Sequence, residues 1–64
     1  MGVLLIKYLK VKSISMESFY IDEMKNVPMV IDMLRDCEVG EGYELSIVAM
    51  REEDFKNLPE FTGF

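Results

Sequence analysis

The chain has 64 residues, half of them apolar, with no histidine, one cysteine and a formal net charge of −5. That length allows a single domain, one cysteine excludes an intramolecular disulfide, and without histidine there is neither a metal framework nor the usual neutral-pH proton shuttle. Residues 1–16 carry Lys7, Lys10 and Lys12 and no acid, whereas residues 17–64 hold all twelve acids against Lys25, Arg35, Arg51 and Lys56. Phosphate neutralisation needs clustered basic residues, so direct nucleic-acid binding is not expected, and a basic protein surface is the better electrostatic match.

Val3 to Met16 is rich in β-branched, aromatic and leucine residues and predicts the first strand. Lys7 interrupts the apolar run Val3-Leu4-Leu5-Ile6, far short of a signal-peptide core or a membrane span. A cytoplasmic protein with no membrane partner is therefore expected. Leu9 and Val11 then alternate with Lys10 and Lys12, but Ile14 and Met16 fall on the other parity. A period of two cannot change parity without a bulge or bend, which places an irregularity near Lys12-Ser13.

Glu17 to Met24 supports two readings. Met16, Phe19, Tyr20, Glu23, Met24 and Val27 give partial helical spacing with Ser15 as an N-cap, while Phe19-Tyr20-Ile21 reads as a short strand after a Ser15–Ser18 turn. The strand is preferred because Asn26-Val27-Pro28 marks a helix start directly after it. Asparagine favours the N-cap, proline suits the first turn, and proline also disfavours helical dihedrals at Val27, so a preceding helix would break there. From Val27 the residues Val30, Ile31, Leu34 and Cys37 trace an apolar stripe, with Asp32, Arg35, Asp36 and Glu38 outside it. Gly40-Glu41-Gly42 is expected to stop this helix with left-handed dihedrals.

Tyr43 to Met50 alternates as a third strand. Glu52-Glu53-Asp54 suits the positive end of a short helical turn, and Pro59 ends whatever helix forms. The order β-β-α-β implies an α+β fold: a three-stranded sheet of order 2-1-3, one helix on one face, and a C-terminal tail. The most apolar strand is placed centrally. Residues 1–50 form the β-β-α-β part, and residues 51–64 are an acidic, aromatic tail of the same domain. The second sheet face, with Leu4, Ile6, Tyr8, Val48 and Met50, needs a cover. The tail, a second copy or a target could each supply it.

No residue set looks catalytic, and neither an enzyme nor a cofactor is expected. Cys37 lies on the apolar stripe without a partner base and reads as a small buried hydrophobe. Asp32 and Asp36 are one helical turn apart, which without further ligands describes a solvated face rather than a cation site. Gly40-x-Gly42 follows a helix, so it is a turn and not a phosphate cradle. The feature with a functional reading is the tail, where Phe55, Leu58, Phe61 and Phe64 recur every three residues behind Glu52, Glu53 and Asp54. The four apolar residues would anchor and the three acids would steer, either on the chain's own sheet or on a partner.

The run Met50-Arg51-Glu52-Glu53-Asp54-Phe55-x-x-Leu58-Pro59-Glu60-Phe61-x-Gly63-Phe64 resembles the C-terminus of small uncharacterised accessory proteins of bacteriophages and prophages. In those a methionine, two or three acids, an aromatic, Leu-Pro-Glu, a second aromatic, glycine and a final aromatic follow a strand. The layout of residues 26–50 is similar to theirs in a looser way. The resemblance implies a viral setting in a bacterial cytoplasm and attaches no activity. The element order is also similar to that of a small phage inhibitor of bacterial RNA polymerase, an analogy of fold that transfers no residue role.

The expectation is a phage-encoded, non-enzymatic protein that binds a host protein and blocks or redirects it through Phe55, Leu58, Phe61, Phe64, Glu52, Glu53 and Asp54. Two rivals stand beside it. One is a homodimeric accessory subunit whose tails or open faces pack together. The other is an acidic mimic of nucleic acid that inhibits a DNA-binding enzyme.

Overall fold

The computed structural model describes residues 4–59. Three strands form one sheet, β1 Ile6–Ser13, β2 Phe19–Glu23 and β3 Tyr43–Met50, in the order β2-β1-β3. Helix α1, Val27–Arg35, lies between β2 and β3 in sequence, and a short helix α2, Glu52–Lys56, follows β3. The central strand is antiparallel to both neighbours, so β2 and β3 run parallel to each other on either side of it. This is the α+β arrangement expected from the element order.

Alternation sorts the sheet into two faces. On one, Leu9 and Val11 of β1 are buried beneath Val30 of α1, with Tyr20, Val27 and Tyr43 packed around them. Val11 and Val30 are fully buried, and each contributes about 1.5–3 kcal/mol by leaving water. Tyr20 Oη, on the same face, donates to Met33 Sδ at 3.6 Å. The other face carries Ile6, Tyr8, Lys10 and Lys12, opposite Met50, Val48, Ser46 and Glu44 of β3. Across the other ladder it carries Phe19, Ile21 and Glu23 of β2. The Lys12–Glu44 register sets opposite charges directly across the ladder.

The ambiguous segment is a strand, as preferred, and then departs from expectation. Met24–Asn26 form a 3-10 turn that runs straight into α1, and Val27 is itself helical (φ −52°, ψ −42°). Proline's disfavour of a helical preceding residue is a bias, and here the tight turn outweighs it. Asn26 occupies the N-cap position without capping. Its side chain donates backwards to Asp22 Oδ1 at 2.8 Å instead.

Two other boundaries differ. The parity slip is the end of β1 and not a bulge within a longer strand: residues 14–17 turn, with Ser13 Oγ accepting from the Ser15 amide at 3.3 Å. The Ile14 amide then donates to Gly42 O at 3.1 Å, so the turn is held by the segment entering β3. Helix α1 closes at Arg35, before Cys37, and Ile31 of the predicted stripe is exposed. Gly40 does have positive φ, +95°, but within a later turn in which the Glu41 amide donates to Glu38 O.

Candidate functional site

The site begins with how α2 is seated. Helices this short do not persist alone in water, because nucleation costs more than a few hydrogen bonds return. Three local features favour it. Glu52, Glu53 and Asp54 occupy its first turn, where backbone N–H groups present positive charge. Arg51 closes on Asp54 through two contacts, Nε to Oδ2 at 3.1 Å and Nη2 to Oδ1 at 3.2 Å. Lys56 reaches back to Glu52 at 3.2 Å. Hydrogen bonding and charge from Asp54 hold the Arg51 guanidinium above its ordinary pKa.

Seating itself comes from Phe55, whose ring stacks on Tyr8 at a centroid separation of 4.2 Å. Tyr8 is the central residue of the second face and is buried. Tyr8 lines a shallow recess together with Glu23, Lys25, Glu52 and Lys56. Desolvation, followed by the negative charge of Glu52 and Glu23, raises its pKa above 10.0 against a smaller opposing effect of Lys56. The tail thus supplies part of the cover that this face needs.

The cover is incomplete. Beside it runs an open groove of about 550 Å³, lined by Phe19, Tyr20, Ile21, Asp22, Phe55, Leu58 and Pro59. Its walls come from β2, from Phe55 of α2 and from Leu58 and Pro59 after it. Phe19 remains 49% exposed and Leu58 40% exposed although both are large and apolar. The Lys10 ammonium lies 4.4 Å above the Phe19 ring, so the far end of the groove carries a cation against an aromatic face.

The predicted site residues therefore divide. Phe55 is half-buried and shared between the sheet and the groove. Leu58 lies at the groove with its amide bonded to Phe55 O at 3.2 Å. Glu52 and Asp54 are neutralised locally by Lys56 and Arg51, whereas Glu53 has no ion pair among the described residues. Phe61 and Phe64 lie outside the described residues. Tyr8 is expected on the open face that the tail could cover and is found there beneath Phe55, whereas Phe19 and Ile21 enter the site unannounced. Only the alternation of β2 hinted at them, and their meeting with the tail depends on strand register.

The other candidates have structural partners. Cys37 is half-buried, and its thiol donates to Met33 O at 3.5 Å. Asp32 pairs with Arg35 at 3.5 Å on the outer side of α1. Among the described residues no group of three or more Cys, Asp or Glu side chains is arranged to hold a metal ion. No helix among them is long and apolar enough to cross a membrane. No protein-family model, no curated protein and no solved structure matches this chain.

Proposed function

We propose that this chain is a non-enzymatic interaction module that seats an apolar side chain of a protein partner in the groove between β2 and the segment after α2. A phage-encoded protein acting on a host protein by surface occlusion is the form of this reading that the tail resemblance favours. The observation that carries it is the groove itself: Phe19 and Leu58 stay half in water beside a Tyr8–Phe55 stack that is already complete. Large apolar residues kept exposed around a concavity are typical anchors for a partner. The net charge of −5 selects a basic partner surface and speeds the encounter. Glu53, exposed on α2 and in no ion pair among the described residues, is left to steer that encounter.

The test is capture of a host protein from infected bacterial cells, followed by titration of the two purified proteins. Leu58→Lys should weaken that complex at least tenfold while leaving the circular dichroism spectrum unchanged. Phe19→Ser should do the same. Equal affinity in both variants would remove the groove from the function. Deleting everything after Met50 would not isolate the groove, because it also removes the ring that covers Tyr8.

A further inference from the structure

We infer that a second copy of this chain pairs with the outer edge of β3, in antiparallel register about Ser46, and so doubles the sheet. This goes beyond the groove, which lies at the β2 side. Open edges in monomeric proteins are normally blunted by shortness, lysine, proline, a bulge or a covering element. The five-residue β2 edge is blunted in that way: it ends in Asp22-Glu23 and turns at once into the 3-10 segment.

Among the described residues the β3 edge has none of these devices. It runs eight residues, Tyr43–Met50, with one charged side chain, no lysine and no proline. Its register with β1 is unbroken from Ser13–Tyr43 to Ile6–Met50, so no bulge twists it away. From Glu44 to Ala49 no backbone group bonds outside the β1 ladder among the described residues. On the α1 side of the sheet Leu45 stays 41% exposed and Ile47 53% exposed, because α1 sits over Leu9 and Val11.

The strand's own sequence selects a copy of itself as the occupant. A two-fold axis through Ser46 sets Leu45 opposite Ile47 of the second copy, and Ile47 opposite Leu45, on one face. The same axis sets Glu44 opposite Val48, so the strand's acid never meets its equivalent. Ser46 meets Ser46, a pair whose hydroxyls can bond across strands. Residues related in this way keep the same parity, so the apolar pair stays on the α1 side of both copies.

Sedimentation equilibrium of the full chain, from low micromolar to near-millimolar concentration, tests the pairing. A monomer–dimer equilibrium is expected, weakened at least tenfold by Ile47→Lys with an unchanged circular dichroism spectrum, and unaffected by Leu58→Lys. In a Cys37→Ser background, Ser46→Cys should give a disulfide-linked dimer under mild oxidation, since facing antiparallel residues lie about 4.5–5.5 Å apart between Cα atoms. Glu38→Cys in the same background should not. A monomer at every concentration overturns the proposal. So does a dimer indifferent to Ile47→Lys, or equal cross-linking at both cysteines.

Discussion

Phe55 lies flat on Tyr8, with ring centroids 4.2 Å apart and planes within 9° of parallel. Tyr8 sits in the central strand and Phe55 in the last described helix, so one ring pair joins the start of the chain to its C-terminal part. A five-residue helix has too few internal bonds to hold itself in place. The stack is therefore what fixes α2 on the sheet.

Phe55→Ala should lower stability by about 2–4 kcal/mol, the range for truncating a well-packed aromatic that is not wholly buried. That is a large share of the roughly 3–10 kcal/mol that a domain of this size has in total. Urea denaturation measures the loss. Hydrogen exchange should show the α2 amides opening while those of α1 keep their protection. A loss below about 0.5 kcal/mol, within the ordinary range for a surface substitution, would mean that α2 adds nothing to the fold.

Alkaline pH should unfold the protein through its tyrosines. Tyr8, Tyr20 and Tyr43 are all held above 10.0, in each case first by desolvation. For Tyr8 the next cause is Glu52, for Tyr20 it is Asp22, and for Tyr43 it is Cys37. A raised folded-state pKa means that the neutral phenol is favoured by the fold. The corresponding stability is complete below the unfolded value and is lost as pH rises from there through the folded value. The melting temperature should thus fall above pH 10.0. Tyr8→Phe keeps the ring stack and should make that fall shallower. If phenolate absorbance in the folded protein follows free tyrosine, the prediction fails.

Much of this architecture is legible in the chain. Leu9, Lys10, Val11 and Lys12 alternate because they form the centre of a sheet with two different faces. Tyr43 to Met50 is bounded by Gly42 on one side and Arg51 with its acids on the other. The places where sequence misleads are those where a distant or backward bond decides. Ile14 and Met16 continue an alternating pattern, yet Ser13–Ser15 contacts and the Ile14–Gly42 bond turn the chain there. Asn26 carries the right side chain for a cap but finds the Asp22 carboxylate first. The groove is hidden for a related reason. Phe19 shares a face with Phe55 only because Lys12 is its register partner and Tyr8 lies four residues before Lys12 on the same face.

Asp22 should control the corner between β2 and α1. Its Oδ1 accepts from the Glu23 amide and from Asn26 Nδ2, both at 2.8 Å. Removing the carboxylate with Asp22→Ala loses both bonds and should cost about 1–2 kcal/mol, whereas Asn26→Ala loses one and should cost about half as much. Combined, the two substitutions should show a coupling of about 0.5–1.5 kcal/mol in a double-mutant cycle. Strict additivity would mean that the two side chains do not stabilise each other.

Gly40 and Gly42 make a controlled pair within one loop. Gly40 has φ of +95°, and a Cβ built there would meet nothing within 4 Å. Space is free, so any cost of Gly40→Ala is conformational, about 1–2 kcal/mol for forcing a side chain into positive φ. At Gly42 the dihedral is ordinary, and a Cβ would stand 3.7 Å from Ile14 Cδ1 in plain van der Waals contact. Gly42→Ala should therefore be neutral or stabilising by about 0.4–1 kcal/mol, through reduced freedom of the unfolded chain. Thermal denaturation should show Gly40→Ala losing stability while Gly42→Ala keeps or gains it. Equal losses would instead assign the loop's need for glycine to close packing, which neither position shows.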